Sequence, residues 1–285
     1  MKTIDKSKPV MITGATGYVA GWIVKKLLEE GITVHAAVRN PENKEKLKYL
    51  DEIAKKSPGK IKYFKADLLE MGSYDEAMAG CELVFHTASP FKMQVKNAQT
   101  DLIDPALKGT RNVLESANGI DSVKRVVLTS SVAAIIGDAK DFLNLPNSTA
   151  TEENWNTTSS LKHQAYSYSK TLAEKEAWKI ADAQDRWDLV VINPSFVLGP
   201  GISPVNTSAS FDIVKQIGDG TMKSGLPAFN FGMVDVRNIA DAHINAAYTP
   251  KAKGRHIVSA SEHYLLELAQ ILKNKYGDAY PFPKK

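Results

Sequence analysis

The sequence predicts an α/β fold: a doubly wound parallel sheet with helices on both faces, followed by a smaller mixed α/β lobe. Two observations support this prediction. Up to residue 193, short apolar runs typical of buried strands alternate with longer amphipathic segments, which favours a parallel sheet. After residue 193, prolines and glycines become frequent and the elements become shorter. We therefore predict a large domain at residues 1–193 and a smaller lobe at residues 194–285.

The elements of the large domain follow from hydrophobic periodicity. An apolar strand opens the chain, and Val19, Ile23 and Leu27 then recur every four residues, so the first helix has one buried face. Runs rich in β-branched, aromatic or other apolar residues predict further strands at residues 32–38, 83–86, 125–128 and 189–192, and residues 60–65 are also predicted to form a strand. Helices are predicted between them at residues 41–56, 98–117 and 164–183. Ser73 is the expected N-cap of a short helix that ends near residue 80.

The smaller lobe has a less regular pattern. Its predicted helices span residues 208–217, 236–248 and 264–275, and its predicted strands span residues 228–231 and 256–258. These elements are short and are separated by proline and glycine. We expect the lobe to wrap onto the large domain.

Composition narrows the class of protein. With 285 residues, 43% apolar and 24% charged, the chain is typical of a globular enzyme with a sizeable core. Its net charge of +4 is too small and too dispersed to indicate nucleic-acid binding, and no apolar run is long enough to span a bilayer. The single cysteine, Cys81, fits a reducing compartment, so we expect a cytoplasmic protein. No His or Cys residues are spaced as metal ligands, and we expect no metal.

The turn after the first strand has the composition of a phosphate-binding loop. Its spacing, Gly14-x-x-Gly17-x-x-Ala20, is a variant of the dinucleotide fingerprint. Glycine allows the backbone close to a ligand, and the first turn of the next helix offers unpaired N–H groups and a positive dipole end. The sequence therefore predicts a Rossmann-type dinucleotide-binding domain. The residues expected to hold its cofactor here are Gly14, Thr16, Gly17, Tyr18 and Val19.

The end of the second strand indicates which dinucleotide binds. A carboxylate at this place favours NAD, whereas Arg39 stands here and a guanidinium suits the 2′-phosphate of NADP(H). Lys46 could add positive charge from the next helix. Arg39 could also be an ordinary surface residue at a strand end. Further along the cofactor we place Asp67 and Leu68 at the adenine, and Thr87, Ala88 and Ser89 at the middle of the molecule.

The chemistry is predicted from Ser131, Tyr166 and Lys170. Tyr166 and Lys170 are four residues apart on a helix and so share a face. A phenol has a pKa near 10 and needs a neighbouring cation to exchange protons at neutral pH, which Lys170 supplies while bonding the nicotinamide ribose. Ser131 ends the fifth strand and can hold a substrate oxygen. Tyr168 lacks a lysine four residues later and is not the expected acid.

Together these motifs resemble the short-chain dehydrogenase/reductase superfamily. The chain is most similar to the extended branch that includes dihydroflavonol 4-reductase, cinnamoyl-CoA reductase and microbial aldehyde reductases. The matching stretches are residues 13–19, 39–41, 84–90, 108–114, 129–131, 166–174 and 193–200. The resemblance implies that Pro194 and Val197 meet the nicotinamide carboxamide and that Ser208 meets the cofactor phosphates.

The departures from the branch also carry information. Epimerase-type relatives have Asn where this chain has Ala106, which favours a reductase over an epimerase. Flavonoid reductases have Asn where this chain has Ile136, which favours a simpler carbonyl compound over a flavonoid as substrate. Relatives of this branch usually continue beyond a stretch like residues 280–285, so we expect the substrate-binding lobe to be incomplete at its C-terminus.

Three functions remain open at this point. The first is an NADPH-dependent reductase of an aldehyde or ketone, a small-molecule carbonyl substrate, in which Tyr166 is the general acid. The second is an NAD(P)-dependent nucleotide-sugar epimerase or dehydratase, and the third is a non-catalytic NADPH sensor. The expected oligomeric state is a monomer or homodimer.

Overall fold

The fold is built around one large parallel sheet with a small second sheet beside it. The computed structural model describes residues 2–89, 95–203 and 208–284, so residue 90 of one matching stretch lies outside the described residues. The large sheet contains β1 (Val10–Thr13), β2 (Thr33–Val38), β3 (Lys60–Lys65), β4 (Leu83–His86), β5 (Arg125–Thr129), β6 (Asp188–Pro194) and β9 (Gly254–Val258). The small sheet contains β7 (Phe196–Leu198), β8 (Asn230–Asp235) and β10 (Ser261–Tyr264).

From β1 to β6, helices alternate with the strands as the sequence predicted. The helices are α1 (Tyr18–Glu29), α2 (Lys44–Lys55), α3 (Asp75–Met78), α4 (Asp104–Gly119), α5 (Ala165–Asp182), α6 (Ala209–Gly218), α7 (Val236–Tyr248) and α8 (Leu265–Tyr276). No helix of the described residues combines the length and the apolar content needed to cross a membrane.

The strand order of the large sheet, β3-β2-β1-β4-β5-β6-β9, is that of a doubly wound fold, and all its pairings are parallel. One face is covered by a core that includes Ile23 and Leu27 of α1 and Ile244 of α7, and the other by a core that includes Val113 of α4 and Ala177 of α5. Helices on both faces bury every residue of β1 and β4, and both strands are apolar up to their last residues, Thr13 and His86. The predicted fold class is confirmed.

The connection order places the ligand crevice. The chain leaves β1 toward β2 and β3 on one side and then crosses to β4 on the other, so the strand order reverses between β1 and β4. In open α/β sheets, ligands bind at such a switch point, beyond the carboxyl ends of the strands. The predicted phosphate turn follows β1 at this point.

The chain after residue 193 contributes to both sheets. It supplies β7, β8 and β10, but α7 packs against α1, and β9 extends the large sheet beside β6. The division into residues 1–193 and 194–285 stays a prediction. From the second of these ranges, β9 belongs to the large sheet and α7 packs on one of its faces.

Two local predictions differ from the structure. Ser73 does not cap α3, because its hydroxyl bonds the backbone of Asp67. The helix predicted from residue 98 begins as a wide π-turn at Gln99–Ile103, and α4 starts only at Asp104. Pro105 lacks an N–H and would clash with a preceding carbonyl inside a helix, so it occupies the first turn of α4 instead.

Candidate functional site

The turn between β1 and α1 forms a cradle that only glycine permits. Gly14 has a φ of +63°, and a Cβ there would lie 3.0 Å from Cβ and 3.2 Å from Cα of Ala88. Gly17 donates its N–H to the Gly14 carbonyl at 2.8 Å and caps α1 without a side-chain hydrogen bond. The first turn of α1 contains no acidic residue, so its free N–H groups and dipole favour an anion.

The side chains around this turn face different surroundings. Thr16 is half-buried, and Val19 packs against the core. The Tyr18 hydroxyl donates to the Gly199 carbonyl at 2.8 Å, and its ring meets Phe211 edge-on at 4.8 Å. The Tyr18 side chain therefore connects α1 to the smaller lobe, and its backbone N–H belongs to the first turn of α1.

A hydrogen-bonded lock that the sequence did not suggest joins β1 to β4. Thr13 Oγ1 accepts the N–H groups of Thr87 at 3.1 Å and Ala88 at 3.0 Å, and it lies 3.0 Å from His86 Nδ1. Since the hydroxyl already accepts twice, its proton goes to Nδ1, and His86 is neutral. Burial, with the nearby Lys170 as the smaller cause, lowers the pKa of His86 to about 3.

This lock fixes the floor of the crevice. Thr87 also donates its hydroxyl to the Thr13 carbonyl at 2.6 Å. Thr87 and Ala88 are half-buried, and Ser89 is exposed and accepts a hydrogen bond from Lys170 Nζ at 3.0 Å. The three residues predicted for the middle of the cofactor thus lie between the phosphate turn and the predicted catalytic lysine.

The residues predicted for the adenosine end lie beyond β2 and β3. Arg39 and Lys46 are exposed, and neither side chain has a hydrogen-bond or ion-pair partner among the described residues. Asp67 Oδ1 accepts the N–H of Leu69 at 2.8 Å, and Leu68 lies against Gly109 of α4. The Arg39 guanidinium is therefore free to meet an anionic group at the edge of the crevice.

Buried Asn112 holds the loop that carries Asp67 and Leu68. Its Nδ2 reaches the carbonyls of both residues and of Glu70, at 3.1, 3.2 and 2.7 Å, and its Oδ1 accepts the N–H of Gly72 at 2.9 Å. Asn112 belongs to the matching stretch 108–114, but no local pattern in the sequence indicates that it holds this loop.

The three predicted catalytic residues come together beside β5. Ser131 follows the end of β5, and its side chain forms a hydrogen bond with Tyr166. Lys170 Nζ lies 5.9 Å from the centre of the Tyr166 ring on the same face of α5. Ser130 is buried and bonds Glu174 instead, so it does not face Tyr166.

The environment shifts the pKa of both proton-exchanging groups. Tyr166 reaches the surface and is 39% exposed, yet the protein around its hydroxyl displaces enough water to raise its pKa to about 12, opposed by the Ser131 hydrogen bond. Burial lowers the pKa of Lys170 to about 8, and the charge of Glu174 opposes this shift. At neutral pH, Tyr166 holds its proton and Lys170 remains mostly charged.

The remaining predicted residues lie at the start of the smaller lobe. Pro194 ends β6 and is buried, and Val197 in β7 is half-buried and pairs with Val234. Ser208 precedes α6, and its buried hydroxyl has no hydrogen-bond partner among the described residues. An orphaned hydroxyl here, together with the uncapped start of α1 and the Gly14 cradle, fits a phosphate-bearing dinucleotide.

Sequence reasoning also missed a charged pair below α5, the helix that carries Tyr166 and Lys170. Glu174 and Arg255 form a buried ion pair, with side chains 0% and 7% exposed. Glu174 is four residues after Lys170, which could have marked it as a neighbour on one helix face. Nothing in the sequence connects it to Arg255, which lies 81 residues away in β9.

Comparisons with known proteins give a consistent picture. Residues 11–268 match the 3-beta hydroxysteroid dehydrogenase/isomerase family. The chain is 42% identical to a cinnamoyl-CoA reductase of Medicago truncatula over 283 residues, which cover 97% of this chain and 83% of that relative.

Solved structures agree with these sequence matches. Gre2 of Candida albicans, crystallised with NADPH, is 30% identical with a TM-score of 0.83, over 96% of this chain and 85% of that one. Yeast methylglyoxal/isovaleraldehyde reductase Gre2, also with NADPH, is 30% identical with a TM-score of 0.82, over 94% and 82%. These two structures, together with the Gly14 turn, the start of α1 and the Ser208 hydroxyl, which fit a phosphate-bearing dinucleotide, confirm the predicted cofactor, NADP(H).

Proposed function

Because the chain belongs to the 3-beta hydroxysteroid dehydrogenase/isomerase family, we propose that it is an NADPH-dependent reductase of aldehydes or ketones. Its membership confirms the predicted resemblance to extended short-chain reductases and the predicted class, an NADP-dependent oxidoreductase acting on carbonyl or CH–OH groups. The proposal concerns the substrate class and the role of each residue in the reaction. It rests on the meeting of Ser131, Tyr166 and Lys170 beside the crevice that begins at the Gly14 turn.

The three side chains divide the work at the substrate carbonyl. Bound NADPH supplies the hydride that the carbonyl carbon accepts. Ser131 holds the substrate oxygen, and the Tyr166 hydroxyl gives that oxygen its proton, so that an alcohol forms. A phenol with a raised pKa remains protonated and can act as an acid, and the nearby Lys170 charge stabilises the phenolate that forms when the proton leaves.

Arg39 supports the choice of NADPH over NADH. Its exposed guanidinium follows β2, where the adenosine ribose lies in this fold, and no acidic residue lies between the end of β2 and Glu42. The names of the relatives support carbonyl compounds as substrates. They include a cinnamoyl-CoA reductase and a methylglyoxal/isovaleraldehyde reductase.

The test is a reduction assay with a matched pair of tyrosine variants. Purified protein is mixed with NADPH and a panel that includes methylglyoxal, isovaleraldehyde, a dihydroflavonol and cinnamoyl-CoA, and NADPH absorbance is followed. Tyr166→Phe should lower kcat by about 100-fold or more, because it removes the proton donor. Tyr168→Phe, the same change two residues away, should leave kcat within about twofold of the wild type.

Other results point to the alternatives. Turnover of a sugar nucleotide with cofactor retained through purification would replace the reductase with an epimerase or dehydratase. NADPH binding without turnover of any carbonyl would favour a sensor. Equal activity of Tyr166→Phe and the wild type would remove Tyr166 from the proton transfer.

A further inference from the structure

The buried ion pair of Glu174 and Arg255 lies directly beneath the Tyr166–Lys170 face of α5. Arg255 Nε donates to Glu174 Oε1 at 2.5 Å, and both side chains are withdrawn from water. Such a pair contributes little net stability, because the cost of desolvating two charges offsets their attraction. Its hydrogen bonds nevertheless fix the relative positions of the elements that carry it.

Glu174 joins the catalytic helix to the ends of two strands. Its carboxylate accepts hydrogen bonds from the Ser130 hydroxyl after β5 and from Asn193 Nδ2 in β6, the latter at 2.8 Å. The same Asn193 nitrogen also donates to the Ser131 carbonyl at 3.1 Å. Glu174 therefore sets where α5 lies relative to the backbone of Ser131.

Arg255 holds the segments on either side of this junction. Its guanidinium donates to the carbonyls of Ala134 at 3.3 Å, Glu152 at 2.8 Å and Asn154 at 2.5 Å. Ala134 closes the 3₁₀ turn that starts after Ser131, and the other two residues lie in the loop that leads to α5. The guanidinium also stacks on the Trp155 ring at 3.8 Å.

We propose that the Glu174–Arg255 pair positions Ser131 and Lys170 for the reduction and keeps the Lys170 ammonium charged at the working pH. This inference rests on the proposed function, in which those two residues serve the substrate and Tyr166. Neither member of the pair contacts the substrate, so both are positioning residues. The position of Ser131 is set by the hydrogen bonds of Glu174 to Asn193 and of Arg255 to the Ala134 carbonyl. The charge that favours the Lys170 ammonium is that of the Glu174 carboxylate, one helical turn away.

The charged and titratable groups around Lys170 are consistent with this role. Tyr166 and Glu174 face it from α5, and His86 faces it from β4 as a neutral ring. Arg255 approaches from β9 but is bound to Glu174. Glu174 is thus the anion that opposes the loss of the Lys170 proton.

The experiment compares Glu174→Gln with two control variants in the full chain. Glu176→Gln removes a carboxylate from the same helix, where it pairs with the exposed Arg111. Asp188→Asn breaks a second buried-arginine pair, with Arg125, at the opposite end of β6 from the site. Asp188→Asn therefore measures what the loss of such a pair does to the protein away from the chemistry.

The expected result is a change in both rate and pH profile. Glu174→Gln should lower kcat on the order of 100-fold, since small misplacements of reacting groups cost about that much. It should also move the high-pH limb of the kcat profile, about pH 8 in the wild type, to lower pH by roughly one unit. Arg255→Lys keeps the charge but not the planar donors, so it should lower kcat and leave the limb in place.

Two outcomes would overturn the inference. One is a Glu174→Gln protein with the wild-type kcat and pH profile. The other is a loss of kcat in Asp188→Asn as large as in Glu174→Gln when their urea midpoints are equally lowered, because stability would then explain both.

A second measurement separates this inference from the proposed function. If the wild type reduces no carbonyl, the proposed function fails. The titration of Lys170 is then followed by NMR of ¹³C-methylated lysines, and the Lys170 signal is assigned by its loss in Lys170→Arg. A lower titration midpoint in Glu174→Gln would still support the pair's effect on the Lys170 charge. An unchanged midpoint would contradict it.

Discussion

Gly14→Ala is the most direct test of the phosphate cradle. The φ of +63° at this position costs an L-residue about 1–2 kcal/mol. The new methyl group would also lie 3.0–3.2 Å from Ala88, a tight contact in a region fixed by the Thr13 hydrogen bonds, which adds about 1 kcal/mol. We expect the free energy of unfolding to fall by about 2–3 kcal/mol and NADPH affinity to fall with it, because the turn must shift away from the phosphate.

Gly80→Ala is the matched control for this prediction. Gly80 has a similar φ of +74°, but a Cβ there meets nothing within 4 Å, so only the backbone cost of about 1–2 kcal/mol applies. Urea unfolding of both variants, with NADPH titrations by fluorescence, separates strain from contact. Adding Ala88→Gly to Gly14→Ala should restore part of the difference. The reasoning is refuted if Gly14→Ala is no less stable than Gly80→Ala and binds NADPH as the wild type does.

The other predictions concern cofactor choice and acid stability. Arg39→Asp should lower the ratio of kcat/KM for NADPH over NADH by about 100-fold, since a charge-assisted bond to the 2′-phosphate is lost and repulsion is added. Lys55→Asp, at the far end of α2, is the control. An unchanged ratio in Arg39→Asp would remove Arg39 from the phosphate site. His86 and His243 are buried and neutral, with pKa values lowered to about 3 and about 4, whereas an unfolded histidine titrates near 6.5. Because the unfolded state binds more protons between these values, stability should fall as the pH drops from 7 to 5, by roughly 2 kcal/mol for each histidine. Urea unfolding at both pH values measures this, and His243→Gln should remove its own contribution, roughly 2 kcal/mol. An unaltered slope would contradict the assignment.

Much of the fold could be predicted because it is recorded in local pattern. The strand predicted at residues 60–65 and the helix predicted at residues 236–248 have the bounds of β3 and α7. Burial on both faces makes the central strands continuously apolar, and a helix with one buried face repeats every three to four residues. Such signals need no knowledge of the partner element.

The small sheet was harder to predict for the opposite reason. β7 has only three residues, and β10 is the polar and mostly exposed run Ser261–Tyr264, so neither carries a strand pattern. β8 was expected at residues 228–231 but spans Asn230–Asp235, because its pairing with β7 and β10 sets its bounds. Pairing is a property of two segments, and one segment alone does not reveal it.

In the candidate site, too, local features could be predicted from the sequence and contacts between distant residues could not. The glycine turn, the four-residue spacing of Tyr166 and Lys170 and the arginine after β2 could all be read from the sequence, since each is a local arrangement of a few neighbouring residues. The hydrogen bond between Thr13 and His86 and the ion pair between Arg255 and Glu174 emerge only in the folded chain, across 73 and 81 residues. Those contacts depend on the register of parallel strands, which brings distant residues to one edge of the sheet and leaves no periodic trace in the sequence.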